Sequence, residues 1–495
     1  MTDRILDQLV YNPEVPMIFS SGLFLFLFLG FSLVYFLLDR QRTLRLVFVT
    51  AFSYYFYYKS SGLYFVLLAL VTVSDYLIAR CIWNYRQKRP EAGGIPRALV
   101  GLSLAVDLGL LGYFKYANFF AGMIEGMIGN NFQPWDIFLP VGISFFTFQS
   151  LSYTIDVYRG TLKPLDRLLD YAFYVSFFPQ LVAGPIVRAC DFVPQIRRPL
   201  TVSRSMFAHG VFLIATGLFK KAVISDYISL NFVDRVFDNP GLYSGVENLL
   251  GVYGYAMQIY CDFSGYSDMA IGIALLLGFH FPQNFNAPYT SDSITDFWRR
   301  WHISLSTWIR DYIYISLGGN RRGAVRTYFN LILTMLLGGL WHGASWNFIV
   351  WGGMHGAALA VHKYVRKNIF HHDRHYRSGG VRRLFGCLLT FHFVCLAWVF
   401  FRNTDFSMSM TMLGRIFTDF HPELFTDIIS GYRYVFMLMA LGYAAHLIPA
   451  RWQDALTGVL ARCNVVVCAA VISAVIYVVI QVKSSEIQPF IYFQF

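Results

Sequence analysis

Imidazole is the side chain whose ordinary pKa suits removal of a hydroxyl proton near neutral pH. The run Leu336-Leu337-Gly338-Gly339-Leu340-Trp341-His342-Gly343-Ala344-Ser345-Trp346-Asn347 sets one imidazole, His342, among apolar and small residues. The pattern predicts that His342 sits near mid-membrane in the middle of a long span, where an ionisable residue is costly enough to mark a functional site. Small neighbours let a backbone or a substrate come close. A general base is the favoured role and structural hydrogen bonding the other reading, with Trp341, Trp346 and Asn347 as companions. His355, in Trp351-Gly352-Gly353-Met354-His355-Gly356, invites a metal pair with His342. No carboxylate or cysteine stands at ligand spacing, so no metal is expected.

A second group runs from Thr295 to Tyr312 and contains Trp298, Arg299, Arg300, Trp301 and His302. Its aromatic residues recur at helical spacing, with Arg299, Arg300, Ser306, Thr307 and Arg310 largely opposite. One amphipathic helix on the cytoplasmic interface is expected, opened by Ser293 as N-cap with Asp296 three residues on. His302 falls on its aromatic face, where a satisfied core histidine and a functional one are both open readings. The third group is Tyr260-Cys261-Asp262-Phe263-Ser264-Gly265-Tyr266-Ser267-Asp268. Asp262, Ser264, Tyr266 and Asp268 lie in an otherwise apolar stretch, as a polar clamp between helices or as the lining of a substrate passage.

The elements that must position these groups are membrane helices. The 495 residues are 56% hydrophobic and only 14% charged, which excludes an ordinary soluble chain. Met17–Leu38 carries no charge until Asp39 and is long enough to cross a bilayer core. About eleven further apolar segments follow: 46–58, 63–83, 98–114, 138–155, 168–187, 207–224, 249–277, 328–350, 384–401, 432–448 and 465–482. An all-α, polytopic transmembrane protein is the predicted class. The segment before Met17 lacks the basic start of a secretory signal, so no cleavage is expected. The seven cysteines are scattered, without a C-x-x-C pair, and read as reduced.

The net charge of +11 resides in short loops, so it orients the chain rather than pointing to nucleic acid. Loops around Arg40–Arg45, Arg80–Arg97, Arg159–Arg167, Arg188–Arg204 and Arg299–Arg326 are expected on the cytoplasmic side. Ala117–Asp136 and Ser225–Glu247 are expected to be loops outside, and both termini fall outside. This parity holds only if Leu168–Val187, broken by Pro179, Gly184 and Pro185, dips in and returns. The His371-His372-Asp373-Arg374-His375 cluster reads as a solvated connector. No matched pair of broken helices suggests an inverted-repeat transporter. The expected division is an N-terminal extension (1–16) without assigned function, a membrane domain (17–402) and C-terminal membrane helices (403–495).

With these residues quoted, the sequence resembles the membrane-bound O-acyltransferases, and among them the bacterial subfamily that acetylates exported polysaccharides such as alginate or cellulose. Stretches that carry the resemblance include Gly112-Tyr113-Phe114-Lys115-Tyr116-Ala117-Asn118-Phe119, Leu139-Pro140-Val141-Gly142, Ile155-Asp156-Val157-Tyr158-Arg159-Gly160, Ala183-Gly184-Pro185-Ile186, Asp262–Asp268, Phe297–Asp311 and Leu340–Ala344. The resemblance implies a funnel-shaped helical fold with re-entrant and interfacial helices. It matches His342 to the family's near-invariant histidine and His302 to a second functional position. It further implies a cytoplasmic thioester donor, acetyl-CoA or a relative, with no permanently bound cofactor. An extracytoplasmic SGNH-hydrolase-like transferase, a polysaccharide synthase complex and the bacterial inner membrane complete that picture. Trp346 or Asn347 is expected to steady the developing oxyanion, and Arg299 and Arg300 to meet the donor's phosphates. Two alternatives stay open: D-alanyl transfer to teichoic acid, and a small-solute transporter. Members usually start close to Met17, and the tail Pro489–Phe495 resembles that of only some relatives.

Overall fold

The computed structural model describes residues 8–13, 15–89, 93–371, 379–403, 405–482 and 491, and among them there are helices and connections but no strand. The His372–His375 part of the connector, residues 1–7 and most of the C-terminal tail lie outside the described residues. Among the described residues, six helices are long and apolar enough to cross a membrane: Arg42–Lys88, Gly94–Ile128, Arg204–Asp238, Ala324–His342, Gly380–Arg402 and Val465–Val482. This is the expected all-α, multi-pass architecture.

The chain forms two compact units, one of residues 1–211 with 269–282, the other of 212–268 with 283–495. In the first, the broken segment is confirmed as a break. A nine-residue helix, Leu168–Ser176, stops at Phe177, and a short turn of helix, Phe178–Leu181, follows with Pro179 in its first turn. Nine residues rise only about 14 Å, too little to cross a ~30 Å core. Phe178 packs against Phe31 and Phe52 at centroid distances of 5.4 and 5.1 Å, and its N–H donates to Ser53 Oγ at 3.1 Å. The break is thus filled and hydrogen-bonded from the Arg42–Ser61 helix.

Two expected outside loops are largely helical. Gly94–Leu111 runs on through a wide π turn at Gly112–Tyr116 into Ala117–Ile128. Arg204–Leu218 likewise continues through π turns to Asp238. Extra residues accommodated in π turns shift the helical period, so the apolar stripe no longer reads as one helix.

The segment before Met17 has a structural part to play. Lys59, 3% exposed, donates from Nζ to the carbonyl oxygen of Gln8 at 2.8 Å and also to that of Val10, and Tyr55 donates from its hydroxyl to Leu9 O. Hydrogen bonds from a charged donor contribute about 1.5–3 kcal/mol. Lys59→Met is therefore expected to lower stability by about that amount in detergent melts, and deletion of residues 1–12 to produce a similar loss.

In the second unit a loop closes the N-terminus of the long Gly245–Leu276 helix: the Gly245 and Val246 amides donate to Asp419 O and Phe420 O at 2.7 and 2.8 Å. His421 in that loop sits between Glu423 Oε1 and Asp419 Oδ1, at 2.7 and 2.8 Å, and these carboxylates raise its pKa, Glu423 foremost. A histidine whose folded pKa is raised contributes most below its ordinary value of 6.5 and loses that contribution as pH rises through the folded value. Protection of the Gly245 and Val246 amides, corrected for intrinsic exchange, is expected to fall above that pH in the wild type and to stay level in His421→Gln.

Candidate active site

The expected amphipathic helix is two helices. Ile294–Arg300 begins as predicted, with Ser293 accepting from the Asp296 amide, and is braced by an Arg300 Nε to Asp296 Oδ2 contact of 2.7 Å. At His302 the backbone turns to positive φ (42°), and a second helix, Ile303–Ile309, starts there. A non-glycine residue rarely holds that conformation without outside support. Asn284 supplies it: its carbonyl accepts from the Ile303 amide at 2.9 Å, and its Oδ1 accepts from Ser304 N and Oγ at 3.2 and 2.9 Å.

His342 also stands at a break. The Ala324–His342 helix ends on it, Gly343 is extended, and the next helix runs Trp346–Tyr364. The expected single span with His342 in its middle is thus a hairpin with His342 at the turn. Small residues make the hairpin tight. A Cβ on Gly339 would strike the Phe348 carbonyl, and one on Gly352 would strike the Met335 carbonyl.

A cavity of about 710 Å³ opens beside the hairpin, of a size suited to a cofactor-scale ligand. Trp298, Arg299, Thr307, Arg310, Asn320, His342, Trp351, His362, Lys363 and Arg366 are among its lining residues. Arg299, Arg310 and Asn320 are exposed whereas His342 is buried, so the cavity runs from the surface inward to the imidazole. His342 is walled by rings: Trp341 at 5.0 Å, Trp351 at 5.1 Å and Phe401 at 5.1 Å between centroids.

The other predicted residues distribute as follows. His302 is fully buried against Phe263 (4.6 Å) and Trp341 (6.0 Å), so Trp341 lies between the two histidines. Trp301 is buried against Phe285, Phe297 and Trp398, and Trp346 is 56% exposed. Asn347 donates from Nδ2 to Asn403 O at 2.7 Å and contacts Ser409 Oγ at 3.4 Å. Asp262 pairs with Lys221 at 2.5 Å and accepts the Ile491 amide at 2.8 Å, and Asp268 pairs with Lys220 at 2.7 Å. Ser264 and Tyr266 are buried in the same helix. Of the predicted set, His342, Trp298 and Arg299 line the cavity. The sequence reading missed Lys363 and Arg366 as cavity groups. Their spacing with Leu359 and His362 places all four on one helical face, which was the available signal. His355 accepts from Trp298 Nε1 at its Nδ1 (3.3 Å) and packs on Trp351 at 4.7 Å, so it shapes the wall behind His342.

The second unit thus holds a buried histidine at the inner end of a cation-rimmed cavity. The family model of the membrane-bound O-acyltransferases matches residues 165–400. A "Probable alginate O-acetylase AlgI" of Azotobacter vinelandii is 43% identical over 406 residues, covering 81% of this chain and 78% of that protein. The AlgI of Pseudomonas aeruginosa is 44% identical over 407 residues (81% and 75%). A "Peptidoglycan O-acetyltransferase" of Helicobacter pylori is 38% identical over 428 residues (80% and 79%). The chain belongs to the membrane-bound O-acyltransferase family, in the subfamily of alginate-type O-acetyltransferases. It is an O-acetyltransferase that works in the setting of polysaccharide modification.

The hairpin's close approach is testable. Gly352→Ala forces a methyl group onto backbone, and overpacking of this kind costs about 1–3 kcal/mol. Reduced thermal stability together with reduced acetyl transfer is expected, whereas Gly414→Ala, with open space at its Cβ, should change neither.

Proposed function

We propose that this protein takes an acetyl group from a cytoplasmic thioester, acetyl-CoA or a close relative, and passes it across the inner membrane for O-acetylation of an exported polysaccharide of the alginate or cellulose type. The observation that carries the reading is the cavity joining exposed cations to buried His342. Arg299, Arg310, Lys363 and Arg366 at its outer part suit phosphate oxygens of a donor. The thioester then extends inward to the imidazole. An acceptor hydroxyl attacks the thioester carbonyl while His342 removes its proton, the C–S bond breaks, and the departing thiolate takes the proton from the imidazolium. Trp298 and Trp351 keep the inner wall apolar, which strengthens each electrostatic contact there. His302, behind Trp341, fits an orienting role rather than contact with the donor. The acceptor side is served by an extracytoplasmic SGNH-hydrolase-like transferase working with the synthase complex. The names of the Azotobacter and Pseudomonas relatives support alginate, and that of the Helicobacter relative makes peptidoglycan the polymer to compare.

Radiolabelled acetyl-CoA with membranes that hold the partner transferase and polymer tests this directly. General acid–base catalysis typically contributes 10²–10⁴-fold, so His342→Ala should lose transfer by about that factor while retaining its melting profile. Wild-type transfer by this variant would remove the site assignment. Lys363→Gln with Arg366→Gln should raise the KM for the donor several-fold with kcat nearly unchanged; an unchanged KM would move the phosphate contacts elsewhere.

A further inference from the structure

Four helices of the first unit enclose a polar cluster that acyl transfer does not use. Asp75 lies on Phe65–Lys88 and Asp107 on Gly94–Leu111, both 0% exposed. Ser150 and Thr154 come from Ile143–Arg159 and Tyr171 from Leu168–Ser176, all likewise fully buried. The two carboxyl groups face each other, and Ser103, Ser150 and Thr154 face Asp75. Ser103 donates to Asp75 Oδ1 at 2.7 Å, and Ser150 Oγ lies 3.2 Å from Tyr171 Oη.

Charge and hydrogen bonding do not balance if both carboxyls are ionised. Asp75 Oδ2, both Asp107 oxygens and Thr154 Oγ1 have no hydrogen-bond partner. Two carboxylates are acceptors only, so they cannot bond to each other. Nor does any Lys, Arg or His among the described residues pair with either. Arg80, one turn along from Asp75, donates to Tyr76 Oη and Asp166 O, both at 2.8 Å. Arg42, on the Arg42–Ser61 helix, is directed to Asp170 at 3.9 Å. The other titratable groups facing the cluster are phenols: Tyr171, and Tyr153 packed on it at 4.5 Å with its hydroxyl accepting the Leu165 amide. Two negative charges within one apolar bundle, without a cation, are far too costly to persist.

A single proton resolves both problems. It turns one carboxyl into a donor and halves the charge, and it needs no cavity. We propose that Asp75 and Asp107 form an intramembrane proton-binding site, in which Asp107 carries the proton and donates it in a hydrogen bond to ionised Asp75. The assignment follows from the hydroxyls: Ser103 donates to Asp75, with Ser150 and Thr154 also facing it, whereas neither Asp107 oxygen has a donor. The proton comes from water and is held as long as the helices Phe65–Lys88 and Gly94–Leu111 stay packed. Its loss sets two like charges against each other across that helix pair, which makes the site a pH-dependent latch.

Purified protein in lipid nanodiscs tests this through infrared difference spectra and thermal unfolding. A protonated-carboxyl C=O band, shifted in D₂O, is expected in the wild type at neutral pH and absent from Asp107→Asn. The folding constant of the wild type should fall by up to tenfold per pH unit as pH rises towards alkaline values, the slope for one bound proton. Asp107→Asn, whose amide still donates to Asp75, should fold and lose that slope. Should it fail to fold, Asp75→Asn is measured, with the same loss of slope expected. A wild type lacking the carboxyl band, a slope retained in the folded variant, or stabilisation by Na⁺ over choline at fixed pH would each overturn the proton assignment.

Discussion

A helix that breaks within a membrane leaves amides and carbonyls that lipid cannot hydrogen-bond, and much of this structure consists of side chains meeting that demand. Asn284 satisfies the amides freed at the His302 turn while its own Nδ2 reaches Ser267 Oγ at 3.1 Å. Asn330 donates to the carbonyls of Leu317 and Gly319, at 3.3 and 3.1 Å, where the chain leaves the Arg310–Tyr314 turn. Asn248 does the same for Pro240, Tyr243 and Ser244, all within 3.1 Å. In the first unit Ser53 and Tyr174 serve the broken segment, Tyr174 donating to Val187 O at 3.1 Å. Each of these residues is polar and buried, and each permits a turn that a continuous helix forbids. The two predicted catalytic histidines both stand at such turns.

Charge is handled by the same economy of partners. Lys221 is 2% exposed and lies between Asp226 at 2.7 Å and Asp262 at 2.5 Å, with Lys220 on Asp268 alongside. Breaking such a pair by removing one member is costly, because the remaining charge has no water to turn to. Close approach makes the pairing possible: the Gly265 Cβ position would lie 2.7 Å from Gly217 O and 3.2 Å from the Lys220 side chain. Glycine at 265 therefore lets the two lysines reach across to the carboxylates on either side of it in sequence.

The helical class was legible because hydrophobic length is local. So were the Ser293 cap and the broken segment at Pro179, each fixed by residues adjacent in sequence. What stayed hidden was long-range. Asp262 and Asp268 stand out within their apolar stretch, but the lysines they pair with, Lys221 and Lys220, lie about 40 residues upstream in a stretch that reads as apolar. The turn at His302 depends on Asn284, 18 residues earlier, and nothing in the 295–312 periodicity announces it. Lys363 and Arg366 stand just before the charged connector in sequence, and composition cannot distinguish a solvated face from a cavity wall. The π turns concealed the helices that end at Ile128 and Asp238 by displacing the period on which helix recognition rests.

The position of His342 bears on the proposed chemistry in a way that its identity alone does not. As the last residue of Ala324–His342 it stands at the helix end where carbonyl dipoles concentrate partial negative charge. A cation at such an end is stabilised by about 0.3–1 kcal/mol at exposed sites and by more where water is scarce. In the proposed reaction the imidazole becomes cationic as the acceptor hydroxyl attacks, so the dipole favours the transition state over the resting base. That benefit requires the helix to stop at this residue, and the stop requires Gly343 to be extended and the following helix to fold back against Gly339. The glycine-rich hairpin thus does two things at once: it ends the helix where its dipole can act, and it presents the ring to the cavity. A histidine in mid-helix, as the hydropathy of the segment suggests, has neither advantage.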